Sequence, residues 1–322
     1  MAFAIVSACG GSAERTSRPR TPAHPEIGPL ADLVPRGAEL VVIARPDDAL
    51  SRPAIATIVS LVLPEPRQRS LRDRYGVDVR ALTELAWCTH GDATLILARG
   101  PIDAHRVIRR AERRMSALEG SRSAPFPRRT GLLDGQRHDF VALDRNTLAL
   151  LRGEPGMMDA VLRAVRARER SGALSPRPLR ELAARHGGAP VVVYAPRPIR
   201  LPTDTGIGLL LSRERALAVA LDGDGSEIVA RIELVGEFPP TAAENFAALV
   251  RSLGESDLGR ALGLQDSASR AEIEVDQPEG ADVAVGVRIG LRADAEEIGR
   301  GVREVFVAEL ADLFGERSPS AP

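Results

Sequence analysis

Side chains that can move protons, attack carbonyls or hold metal ions are few in this chain, and their spacing is unhelpful to chemistry. Histidines occur at His24, His90, His105, His138 and His186, none with a second histidine three or four residues away. Metal-binding helices use that spacing, so the pattern supports no metal and no cofactor. Cys88 ends the apolar stretch Leu85-Ala86-Trp87-Cys88, two residues before His90. A thiol nucleophile needs a base that is itself oriented by a third group, so Cys88 reads as a small buried hydrophobe. His138 and Asp139 are adjacent in a predicted strand, where neighbouring side chains leave opposite faces and cannot cooperate. Asp222, Asp224, Ser226 and Glu233 hold positions 1, 3, 5 and 12 of a calcium-loop spacing, but Glu227 stands where the loop needs glycine. A hairpin turn accounts for Asp222-Gly223-Asp224-Gly225 without calcium. Gly206-Ile207-Gly208 lacks the following helix that a phosphate site requires.

Composition removes further chemistries. The basic residues number 43, and every one is arginine. Schiff-base catalysis and the phosphate-binding P-loop both need lysine. His-Glu-x-x-His, Gly-x-Ser-x-Gly and Gly-x-Gly-x-x-Gly are missing from the sequence. Aromatic residues make up 3%, too few for the stacking platforms of single-strand binders, so no nucleic-acid partner is expected. The sequence names no catalytic residue and leans away from an enzyme.

One stretch has a specific chemical meaning. Ile5-Val6-Ser7-Ala8-Cys9, followed by Gly10-Gly11-Ser12, resembles the lipobox of bacterial lipoproteins: a short apolar run, two small residues, then cysteine. The resemblance implies a signal peptide cut before Cys9 and lipidation of that thiol, with palmitate among the chains. Each buried CH2 contributes about 0.8 kcal/mol, so several acyl chains hold a soluble body on a bilayer. Eight residues precede Cys9 and none is basic, which points to a translation start further upstream. Inner-membrane retention often uses aspartate after the cysteine; Gly10 leads instead to the outer membrane, facing the periplasm. Residues 10–36 carry Pro19, Pro22, Pro25, Pro29 and Pro35 among Gly, Ser, Thr and Arg, the composition of an extended tether. Acylation of Cys9 would leave Cys88 as a lone thiol, so no disulfide framework is expected.

Beyond the tether, aliphatic runs alternate with amphipathic ones. Strands are expected at Ala38–Ala44, Leu85–Thr89, Ala93–Arg99, Thr130–Leu133, His138–Leu143, Thr147–Leu151, Pro190–Tyr194, Ala216–Leu221, Glu227–Val235, Arg270–Asp276 and Asp282–Leu291. Helices are expected from a Ser51 cap to Pro64, at Arg67–Tyr75, Pro101–Leu118, Pro155–Arg170, 177–186, 241–253 and 256–263. A last helix opens at Asp294 with Glu297 three residues on, a capping-box spacing, and presents Ile298, Val302, Val305, Phe306, Leu310 and Leu313. The order β-α-β-β-β-α over 92–170 is echoed by β-α-(α)-β-β-α over 227–314. The fold class is therefore α+β, in two related halves, 37–172 and 173–314, each a mostly antiparallel sheet with helices packed on one face. Residues 315–322 read as a disordered tail. This globular part resembles uncharacterised bacterial envelope proteins with duplicated α+β halves, a likeness that rests on no defined motif and assigns no functional residue.

Charge is polarised along the chain. Residues 1–221 hold 34 arginines and 23 acids, a net of +11, and residues 222–322 hold 9 and 21, a net of −12. Arg106, Arg109, Arg110, Arg113 and Arg114 share one helix, and Arg163, Arg166, Arg168 and Arg170 another. An anionic surface beside the anchor would attract the first half and repel the second, orienting the molecule with its acidic end outward. Mutual neutralisation of the halves and ordinary solvated helix faces are the simpler accounts. The expectation is a lipid-anchored envelope protein with a non-catalytic binding or scaffold body, whose partners are the membrane surface and a protein or an anionic envelope component. The alternative is an envelope hydrolase with a site assembled only in three dimensions.

Overall fold

β7 (Thr147–Arg152) is apolar at four consecutive positions, Leu148 to Leu151. Leu148 and Leu150 pack to one side and Ala149 and Leu151 to the other. Such a strand needs cover on both faces, and that demand shapes the architecture. The computed structural model describes residues 27–117, 126–133, 135–153, 155–167, 172–197 and 210–305. Cys9, the tether up to residue 26, Gly206 to Gly208, Phe306, Leu310, Leu313 and residues 315–322 lie outside the described residues.

The chain is α+β, with a large antiparallel sheet as the sequence pattern predicts. Its other strands are β1 (Leu40–Ala44), β2 (Glu84–His90), β3 (Ala93–Arg99), β4 (Ser116–Ala117), β5 (Arg128–Leu133), β6 (Gln136–Ala142), β8 (Val191–Ala195), β9 (Glu214–Asp224), β10 (Glu227–Phe238), β11 (Glu272–Asp276) and β12 (Ala284–Asp294). Their spatial order is β11-β12-β10-β9-β8-β1-β2-β3-β7-β6-β5-β4. β1 to β7 and β8 to β12 are contiguous blocks of this one sheet. The blocks meet where β1 pairs antiparallel with β8, Val41 opposite Tyr194 and Ala44 opposite Val191.

Each block repeats one path. Three neighbouring strands, β1-β2-β3 or β8-β9-β10, lead into a helical crossover. The chain then returns at the outer edge of the block, through β4, β5 and β6 or through β11 alone, and ends on β7 beside β3 or β12 beside β10. The crossover helices are α4 (Ala104–Glu112) in the first block and α7 (Ala242–Glu255) in the second.

Helices form two layers, one on each face of the sheet, where the sequence pattern places them on one face; the strands are apolar on both sides and need both covers. On one face a 3-10 turn (Leu30–Leu33), α5 (Gly156–Ala167) and α6 (Arg177–His186) bury Leu33, Met158, Val161, Leu179 and Leu182 against Val41, Leu95, Leu97 and Ala218. On the other, α4 packs Val107, Ile108 and Ala111 against Phe140 and Leu148. There α7 sets Phe246 and Val250 over Leu234, Val287 and Ile289. α1 (Pro46–Ser51), α2 (Pro53–Val62) and α10 (Ala295–Val305) cover Ile228 and Leu221 from that side. α10 closes tightly on its neighbours: a Cβ on Gly301 would sit 2.0 Å from the carbonyl oxygen of Ala261.

Local departures from the sequence pattern have local causes. The helix expected from a Ser51 cap is α2 and starts at Pro53, because Pro53 disfavours helical backbone at Arg52, whose φ and ψ are −87° and 116°. Ser51 instead ends α1, a helix that the pattern does not predict. The helix expected over Pro101–Leu118 spans only Ala104–Glu112. Asp103 caps it by accepting the Arg106 amide, and the chain becomes strand at Ser116. α3 (Glu65–Tyr75) ends at Gly76, whose φ of 76° favours glycine. A five-residue helix, Gln265–Ser269, escaped the pattern. Asp294 does cap α10, accepting the amides of Glu296 and Glu297.

Asp139 is 1% exposed on β6 and is held by three donors. Arg128 grips both carboxylate oxygens, and the Thr130 hydroxyl donates to one of them at 3.1 Å. Burial works against the charge on Arg128, but Asp139 and then Asp159 outweigh it and hold its pKa above the ordinary value. Removing one partner of a buried pair strands the other, so Asp139→Ala is expected to cost about 3–5 kcal/mol in chemical denaturation; a loss under about 1 kcal/mol contradicts the clamp. Asp103→Ala is expected to cost about 1 kcal/mol. The Asp103 carboxyl is held below its usual pKa, chiefly by the Arg106 amide and then by Arg109, His105 and Arg145 against a small burial penalty. Its ionic contribution is full above the unfolded aspartate pKa and disappears as pH falls through the lower folded value. The gap between wild type and variant should thus narrow in acid; a gap that widens contradicts this assignment.

Candidate functional site

The seam between the blocks carries an open concavity. β1 is preceded by Arg36-Gly37-Ala38, and β8 is followed by Pro196-Arg197; because the two strands are antiparallel, both segments lie at the same end of the sheet. The segment entering α6 closes a third side. These parts enclose a cleft of about 470 Å³ lined by Arg36, Gly37, Ala38, Ala173, Ser175, Pro176, Pro196 and Arg197. That volume suits a small ligand or one end of a larger one.

Gly37 makes the close approach feasible. Its φ is 91°, and a Cβ there would stand 2.9 Å from an Arg197 guanidinium nitrogen and 3.4 Å from Nε2 of His90. Glu39 is 3.9 Å from Arg197, with both side chains about half exposed, a pairing that water screens heavily. α6 begins at this wall with Pro176 in the cap position and no side-chain cap. The positive end of its dipole adds to the two guanidinium groups. Arginine forks match the planar oxygens of carboxylate and phosphate, so the cleft suits an oxyanion.

Residues singled out by spacing do not converge on this site, apart from His90 at its rim. Cys88 shares a strand face with His90 but is buried, and burial pushes its thiol pKa up to about 12 against a smaller opposing effect of the Leu95 backbone. The calcium-spaced acids separate: Asp222 lies 3.6 Å from Arg52, Asp224 bonds Arg292, and Glu233 faces α6. Asp139 is buried, whereas His138 bonds the Gln136 carbonyl and stacks near Phe140 on the opposite face. No group of three or more His, Cys, Asp and Glu side chains suited to a metal occurs among the described residues.

The sequence reading missed two assemblies. Arg36 and Arg197 are joined only by the β1–β8 pairing, which no local pattern reveals. The second joins Glu233 on β10 to the end of α6. Arg185 donates to both carboxylate oxygens, and His186 Nε2 lies 2.8 Å from Oε2. Its only trace is an acid between Ile232 and Leu234, on a strand face that a covering helix must neutralise. With its carboxylate saturated from the helix side, the cluster pins α6 to the second block.

No protein-family model matches this chain, and no curated protein matches it. Among solved structures the fold is similar to crystal form I of TP0453, with a TM-score of 0.50 and 12% identity over 87% of this chain and 99% of that one. Crystal forms III and IV of TP0453 give TM-scores of 0.48 and 0.47 at 13% and 14% identity, covering 87% and 85% of this chain and 99% and 96% of theirs. At such identities the likeness shows the fold alone, an α+β chain built on a large antiparallel sheet.

The thiol provides a test of the site assignment. Cys88 should resist a disulfide-exchange reagent at pH 8 and react fully once denaturant unfolds the chain; rapid labelling of native protein would make it a candidate nucleophile.

Proposed function

We propose that this protein is a lipoprotein of the cell envelope, held by an acylated Cys9 on the outer membrane facing the periplasm. Its folded body is a non-catalytic binding module that holds an oxyanionic group of an envelope component in the seam cleft. The observation that carries the binding role is the convergence of Arg36, Arg197 and the uncapped start of α6 on one open cavity. Ile5-Val6-Ser7-Ala8-Cys9 supports the anchor. Hydrogen bonds to charged groups contribute about 1.5–3 kcal/mol each, so losing one guanidinium should weaken binding roughly 10- to 100-fold.

Two measurements test this. Labelled palmitate, supplied to cells expressing the gene with its upstream codons, should enter the wild type and not Cys9→Ser; equal labelling, or none in either, removes the anchor. Inorganic phosphate titrated against isotope-labelled protein should shift the amides of Gly37, Ala38 and Arg197 first, and Arg197→Gln should weaken that response at least tenfold. Shifts that avoid the cleft, or that survive Arg197→Gln, contradict the binding role.

A further inference from the structure

The described chain begins at the end of the strands where α4 starts, on the opposite face of the sheet. Arg99, at the end of β3, donates to the carbonyls of Ile27 at 3.2 Å and Gly28 at 2.6 Å, and it also bonds Glu84. Glu84 in turn accepts the Leu30 amide at 2.7 Å. Four residues after Arg99, Gly100 to Asp103, the chain enters α4. Seventeen residues separate Cys9 from Ile27, and a proline-rich chain of that length reaches about 50 Å. A lipid on Cys9 therefore holds this end of the sheet, where α4 starts, within reach of the bilayer that carries it.

α4 is two-sided. Val107, Ile108 and Ala111 face the sheet. Arg106, Arg109 and Arg113 repeat at i, i+3 and i+7 on the exposed side, and none pairs with an acid among the described residues. Arg110 donates to the carbonyls of Arg72 and Asp73, fastening the end of α3 to α4, and Arg114 lies over the Tyr75 ring. α3 adds exposed Arg69 and Arg72 to this surface, Arg72 paired with Asp78. The acidic excess lies beyond residue 221, in the other block of the sheet.

We propose that the α4 arginine face, with α3 beside it, docks on anionic phospholipid headgroups of the membrane holding the anchor. This rests on the lipoprotein reading for its setting but not for its test. Beside an acyl anchor, a basic patch adds about 1 kcal/mol per arginine near an anionic surface and selects which face meets it. Docking through α4 also sets the orientation. The cleft sits where β1 begins and β2 ends, at the opposite end of the strands from Ile27, and so is carried away from the headgroups.

The test uses the full chain as Cys9→Ser, which cannot be acylated, in flotation with phosphatidylcholine vesicles with or without phosphatidylglycerol. The chain should float with the anionic vesicles only, and salt near 1 M, where the Debye length is about 3 Å, should release it. Arg106→Gln/Arg109→Gln/Arg113→Gln should weaken partition roughly 100-fold. Arg180→Gln/Arg231→Gln/Arg251→Gln, which removes the same charge elsewhere, should leave partition unchanged. If the first triple variant melts early, Arg109→Gln alone should still show about a fivefold loss. Equal binding to neutral vesicles, equal loss in both triple variants, or binding to duplex DNA without binding to vesicles overturns the proposal. Palmitate labelling of the wild type is read separately, so the anchor and the docking face stand or fall independently.

Discussion

The antiparallel pairing of β1 with β8 is the constraint on which the rest of this molecule depends. A strand edge exposes unpaired N–H and C=O groups, and a half-sheet ending at β1 would present such an edge to solvent or to another chain. Closing it against β8 makes one sheet from two blocks. Because the pairing is antiparallel, the end of β8 lies beside the beginning of β1, so Arg197 meets Arg36 and Gly37 at one rim. The cleft is a geometric by-product of the way two similar units share an edge.

Burial then explains the placement of charge. Inside the sheet layers, Asp139 and Glu233 are each met by an arginine fork plus one further polar group, as buried carboxylates require. Among the described residues, Arg106, Arg109 and Arg113 on the outward face of α4 form no such ion pair. The protein thus separates internal ion pairs, which hold α6 and β5 in register, from arginines that face outward. The chain entry and the cleft lie at opposite ends of the strands.

Local physics was readable in the sequence where it operates locally. Asp294 caps α10 as its spacing to Glu297 implies, and strands such as Ala93–Arg99 fall where the aliphatic runs place them. The two-sided helix cover departs from the one-faced packing expected from the sequence, although the unbroken apolar run Leu148 to Leu151 carried its signature, a strand buried on both faces. The junction was not legible: hydrogen bonds between β1 and β8 are identical for any pair of aliphatic strands, and Val41 carries no signal that selects Tyr194. The cleft was hidden for the same reason, since Arg36 and Arg197 are ordinary in isolation. Cys88 and the calcium-spaced acids were visible, but burial sets the thiol apart and Asp222, Asp224 and Glu233 each face a different arginine.

Native-state hydrogen exchange at the seam tests this account most directly. If one sheet unites the blocks, the amides of Val41 to Ala44 and of Val191 to Ala195 exchange only through global unfolding, with the same opening free energy and denaturant dependence as those of β3 and β10. Earlier exchange at these amides, while β3 and β10 stay protected as two separate units, would show that the blocks part at β1 and β8 and that the cleft between them has no fixed form.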